Sequence, residues 1–178
     1  VSGPGGVRVV LVPGVLALLP EYAGLTDPVA DLRAACLDAV RWLGEPGGGI
    51  GVHGSPQGLR VARSLAAATG VTLDVAPERP AAVLVMGNGS ARRTEKAPGH
   101  LDPRAAAFDD ELGAALRDGQ QDALGTVLAD GLAEELLADV DGLRWLADSV
   151  RLGAATVDHD DDPFGVQYWV MRWTGEWR

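Results

Sequence analysis

Along the first two thirds of this chain, short apolar runs that stop at glycine or proline alternate with stretches of helical spacing. Residues 7–12 are β-branched and apolar and end at Pro13-Gly14, the pattern of a buried strand and its turn. Gly47-Gly48-Gly49 leads into a second short strand over residues 50–52. Residues 81–86 are the clearest strand of all and end at Gly87. Residues 71–75 alternate weakly and predict a strand at a sheet edge. Asp27-Pro28 predicts a helix start, and Leu32, Cys36, Ala39, Val40 and Leu43 carry the spacing to Gly44. A second helix is predicted over 59–69 with Gly70 as its cap, and a third from Pro103 to about Arg117, ended by Gly119. Two or three shorter helices fit within 120–150. The end of the chain differs in kind. Residues 154–157 and 166–173 read as two strands joined by the acidic turn His159-Asp160-Asp161-Asp162-Pro163. The order predicts an α/β fold: a mostly parallel sheet flanked by helices, with an antiparallel C-terminal strand pair, as one domain over residues 1–178.

In open sheets of this kind ligands sit outside the carboxyl ends of the strands. Three loops qualify: residues 13–19, 53–58 and 87–102. Charge narrows what they bind. The formal net charge is −10, against the clustered Lys and Arg that phosphate contact requires, so no nucleic-acid partner is expected. No segment is apolar long enough to span a bilayer, and no membrane partner is expected. One cysteine, Cys36, excludes an intrachain disulfide and a Cys-rich zinc site. With no signal-peptide pattern at the start, a cytoplasmic location is the expectation.

The familiar nucleotide and nucleophile motifs are missing. Gly87-Asn88-Gly89-Ser90-Ala91-Arg92 begins like a dinucleotide loop, but Arg92 stands where the third glycine belongs. The same arginine breaks a Gly-x-Ser-x-Gly elbow around Ser90. What remains is the concentration of charge in residues 90–100, where Arg92, Arg93, Lys96, Glu95 and His100 share one loop. The chain has 14 Arg and a single Lys, and that Lys falls here. The loop is read either as a receptor for a small anionic ligand or as a surface brace held by pairs such as Arg93 with Glu95. His53 follows a predicted strand and is a ligand, a base or a hydrogen-bonding loop residue. The cluster around His159 lacks calcium-loop spacing and reads as a solvated hairpin tip. Trp169 and Trp173 share a face with Met171, which marks core or a contact in a homo-oligomer.

Several stretches, in order, resemble the class III extradiol ring-cleavage dioxygenase catalytic (B) subunit and the related Memo-type proteins. Pro13 to Glu21 matches an early strand-end turn of the family, where Pro-His-Pro-Pro is followed by Pro-Glu. Gly87-Asn88-Gly89-Ser90-Ala91 followed by Phe108-Asp109 matches a Gly-Asp-x-Ser-His strand end and its Phe-Asp helix. Asp141-Gly142-Leu143-Arg144 and Pro163 to Tyr168 are similar to the later motifs, and together these cover about half the chain. The loop from Gly87 to Gly99 resembles the Gly-Asp-Gly-Ser-Ala-Arg-Arg to Glu-Lys-Ala-Pro-Gly segment of a short actinobacterial subunit-B-like branch. The chain is shorter than such relatives between His53 and Val71.

The resemblance implies Fe(II) held by two His and one carboxylate, with open positions for a catechol and O₂. Carried over residue by residue, the first His position falls on Gly14, the second on His53 and the carboxylate on Asp141. The base position after Ser90 is Ala91. A glycine offers no side-chain donor, and a missing base costs ~10²–10⁴ in rate. The resemblance therefore implies a degenerate member with no cofactor and no catalytic residue assigned. Such a member binds a small anion or a partner in the cleft around Gly14, His53, Ser90, Arg92, Arg93, Lys96 and His100. The alternative is an Fe(II) dioxygenase or other metalloenzyme with a rebuilt site, with His100 as a candidate substitute ligand that its spacing does not single out. His53 and Asp141 are then its surviving metal ligands.

Overall fold

The computed structural model describes residues 5–74 and 78–178. In chain order the elements are β1 (Gly6–Val12), α1 (Ala30–Gly44), β2 (Ile50–His53), α2 (Pro56–Thr69), β3 (Leu73–Asp74) and β4 (Ala82–Met86). They continue as α3 (Ala105–Asp118), α4 (Gln121–Ala129), α5 (Leu132–Glu135), α6 (Asp141–Ser149), β5 (Val150–Leu152), β6 (Thr156–Asp161) and β7 (Tyr168–Trp177). The strands form a seven-stranded sheet in the order β3-β2-β4-β1-β7-β5, with β6 also on β7. Pairs β1–β4, β2–β4 and β2–β3 are parallel, while β7 runs antiparallel to β1, β5 and β6. The predicted α/β architecture is present, including its antiparallel C-terminal pair.

Period-two alternation sorts the strand side chains onto two cores. Val7, Val9 and Leu11 of β1, Val83 and Val85 of β4, and Trp169, Met171 and Trp173 of β7 face α3, α4 and α6. Val10, Val12, Ile50, Leu84, Met86, Tyr168 and Val170 face α1 and α2. Both faces are covered, so β1 and β4 read as unbroken apolar runs rather than alternating ones. Trp169 and Trp173 are therefore core residues, and the Trp173 indole N–H donates to Leu116 O at 3.1 Å. Among the described residues no helix is long and apolar enough to cross a membrane.

The antiparallel C-terminal strands are built into the sheet: β7 is the longest strand and lies between β1 and the β5–β6 edge, and its first four residues are buried. Two expectations need correction. The segment His159–Asp161 is not a turn but the end of the exposed strand β6, two of whose acids are paired across the surface: Asp158 with Arg172 and Asp160 with Arg117. Helix α2 starts at Pro56 rather than Leu59, because Ser55 caps it and its Oγ accepts the Gly58 N–H at 3.2 Å. Strand β5 escapes a pattern reading altogether, being three residues long and continuous with α6. The predicted edge strand survives as β3, Leu73–Asp74; its residue 75 lies outside the described residues.

Candidate functional site

The carboxyl ends of β1, β2 and β4 meet the first turns of α2 and α6, and the contact is closed by glycines. A Cβ at Gly14 would lie 2.8 Å from Gly58 Cα and 3.4 Å from Asp139 Oδ2. The chain after β1 therefore sits directly on the N-terminus of α2, with no room for a side chain at position 14. Gln57 Nε2 donates to Gly14 O at 2.8 Å and pins that approach. At Gly142 a Cβ would meet Met86 O at 2.5 Å and His53 O at 2.9 Å, so α6 is equally tight against the ends of β4 and β2. Arg33 of α1 donates to Leu18 O and Ala17 O and pairs with Asp27, which fixes the 3₁₀ turn Leu16–Leu18 that follows Gly14.

Two side-chain arrangements lie on this surface. Ser55 Oγ donates to Asp139 Oδ2 at 2.7 Å, while the Asn88 N–H donates to Asp139 O at 3.0 Å. Burial pushes the Asp139 carboxyl above the usual carboxylate range, and the neighbouring charge of Asp141 acts in the same sense; the Ser55 hydroxyl opposes both. The His53 ring stacks flat on Trp145, centroids 3.5 Å apart, and Trp145 meets Trp177 edge-on. Burial lowers the His53 imidazole below its ordinary value. Trp145 has apolar neighbours at helical spacing on α6, yet it is only half-buried, with one face covered by His53.

The charged loop after β4 is held from within. The Ser90 N–H and Oγ donate to the two oxygens of Asp109 at 2.7 and 2.6 Å. Arg93 spans Asp109 at 3.1 Å and Asp162 at 2.6 Å, not Glu95. Burial pushes the Asp109 carboxyl up, and the Ser90 and Arg93 donors pull the other way. Arg92 donates to Glu135 O at 3.0 Å and stands 4.0 Å from Asp102. Asp102 accepts from the Arg104 guanidinium and backbone N–H, which holds its carboxyl down to about 2. Lys96 is exposed and forms no ion pair among the described residues; it borders a surface cleft of about 620 Å³ with Thr94 and Phe164. His100 is exposed, with a left-handed backbone (φ 59°) and its ring beside Glu95 O.

The nominated residues thus separate into three places. Gly14 and His53 belong to the strand-end junction, where Asp141 opens α6 and is exposed. Ser90 and Arg93 are buried or half-buried structural partners of Asp109. Arg92, Lys96 and His100 lie on the outer loop. Among the described residues no three His, Cys, Asp or Glu side chains gather into a group that could hold a metal ion. The three positions to which the resemblance assigns iron ligands do not fit such a centre. Position 14 has neither a donor nor space for one, and the His53 ring is laid against Trp145. Sequence reasoning missed the Ser55–Asp139 pair; Ser55-Pro56 is a legible helix-cap signal, but nothing in the sequence pairs it with a residue 84 positions away. No protein-family model, curated protein or solved structure matches the chain.

Proposed function

We propose that this chain is a class III extradiol dioxygenase-like domain that has lost ring cleavage and acts by binding a small anion at the loop of residues 87–102. The observation that carries the loss is the approach of Gly14 to Gly58. A histidine at that position would need its Cβ 2.8 Å from a backbone carbon, inside van der Waals contact. The site has not merely mutated a ligand; the space for the ligand is filled by helix α2. With His53 and Asp141 as the two surviving candidates, Fe(II) would lack the three protein donors its open-sided centre requires. The base position is also empty of function, because Ala91 has no titratable group and is buried, its N–H donating to Leu136 O.

What such a domain retains is a scaffold whose loop presents Lys96 with no carboxylate on it among the described residues. Function follows the site rather than the fold, and on this reading the loop serves binding rather than ring cleavage. Anaerobic reconstitution with Fe(II), followed by elemental analysis and O₂ uptake with catechol and protocatechuate, tests the reading. The expected result is no stoichiometric iron and no substrate-dependent O₂ uptake. About one tightly held iron per chain, or catechol-dependent uptake, would overturn it.

A further inference from the structure

We propose that the cleft between the loop of residues 94–96 and the β6–β7 turn is a binding site for a small organic monocarboxylate with an apolar body. The carboxylate is placed on Lys96 and the body on Phe164 and Pro163. This rests on the binding reading above and gives it a place and a ligand class.

The cleft is built, not incidental. Its two walls are sewn together by the Arg93 N–H donating to Gly165 O at 3.1 Å and by Arg93 Nε donating to Asp162 Oδ2 at 2.6 Å. Gly165 has φ 70°, and a Cβ there would lie 2.5 Å from Thr94 Oγ1 and 2.7 Å from Ala97 Cβ, so only glycine lets the walls approach this closely. Arg93 is in turn fixed by the buried Asp109. The floor is therefore rigid, and a ligand would not have to order it.

The lining sets the chemistry. The space, about 620 Å³, falls within the range of small-molecule sites. Phe164 leaves 42% of its surface exposed on one wall, which is an unfilled apolar contact. Lys96 supplies a positive charge with no carboxylate already on it among the described residues. Asp162 lines the same cleft and is held back against the wall by Arg93, which it shares with Asp109. Glu95 and Asp162 both border the cleft, and these carboxylates favour a ligand with one negative charge over one with two. Cation and ring together select an amphipathic acid and reject both a neutral apolar compound and a bare anion.

The test is an amide-detected NMR titration of the full chain with 3-phenylpropanoate, with 3-phenylpropanol and acetate as the uncharged and bodiless comparisons. Saturable shifts confined to residues 94–96 and 162–165 are expected with 3-phenylpropanoate, and affinity about tenfold weaker for either comparison. Lys96→Met and Phe164→Ala should each weaken binding about tenfold, and Lys96→Arg should retain most of it. Both side chains are exposed, and unchanged amide dispersion elsewhere will show that the variants fold. No saturable shift in the parent, shifts centred elsewhere on the loop, or undiminished binding by Lys96→Met would overturn the site. Iron content of the same preparation keeps the two readings apart. Bound iron defeats the loss of ring cleavage and leaves the cleft standing; absent carboxylate binding does the reverse.

Discussion

At the scale of single residues, two glycines with opposite surroundings make the clearest test. Gly14 faces Gly58 Cα at 2.8 Å from where a Cβ would be, whereas Gly125 on α4 is exposed with nothing within 4 Å. Gly14→Ala should destabilise by about 1–3 kcal/mol, because a methyl group is forced into a backbone contact. Gly125→Ala should stabilise by about 0.5–1 kcal/mol, because helix entropy is recovered without a clash. Urea unfolding of both variants checks the pair. If Gly14→Ala is as stable as the parent, or if Gly14→His folds well and takes up iron, the closed-junction account is wrong. Asp102 offers the pH test. Its pairing with Arg104 holds the folded-state carboxyl down to about 2, below the unfolded value of about 3.9. That stabilisation is present above the unfolded value and is lost as pH falls through the window from about 4 to about 2. Asp102→Asn should therefore shrink the fall in urea midpoint between pH 5 and pH 3. An unchanged fall would show that the pair does not couple to folding.

At the scale of elements, the tryptophans separate core from surface. Trp173 is 1% exposed and its indole N–H is satisfied by Leu116 O. Truncating it to Ala should cost about 3–5 kcal/mol. Trp145 rests on the edge of the same core but turns one face to His53, so Trp145→Ala should cost less, about 1.5–3 kcal/mol. Equal losses for the two variants, measured by urea unfolding, would contradict the half-buried placement. The same contrast shows what was legible in the sequence. Trp169, Met171 and Trp173 alternate at period two, and that alone put them on one face, read as core or a subunit contact; the structure makes it core. The neighbours of Trp145 were apolar at helical spacing, but its stacking partner lies on β2, 92 positions earlier, and no local pattern encodes that contact. The acids of residues 158–162 misled in a related way. Their charge suggested a turn, whereas each exposed β6 acid that pairs does so with an arginine brought close by the sheet or by α3. The glycine at position 14 was visible as a missing side chain; that α2 occupies the vacated space is tertiary information.

At the scale of the whole molecule, strand β7 joins parts of the fold that the chain order keeps apart. It contributes Trp169, Met171 and Trp173 to one core and Tyr168 and Val170 to the other. It also pairs with β1 over Gly6–Leu11, and β1 in turn carries β4. The sheet therefore closes only when the last ten residues of strand return to the first. Such long-range pairing must be complete before either core is sealed, since the contacts that repay loop closure are non-local. A chain ending at Asp161 would leave β1 as an open apolar edge, with Val9 and Leu11 uncovered on one face and Val10 on the other. It should therefore lose cooperative unfolding and amide dispersion rather than form a slightly weaker version of the same structure. A rim hairpin would behave differently: its removal would lower stability but leave the parallel sheet folded. Urea unfolding and an amide NMR spectrum of the shortened chain distinguish the two. A sharp urea transition with dispersed amides would place β7 back at the margin of the sheet.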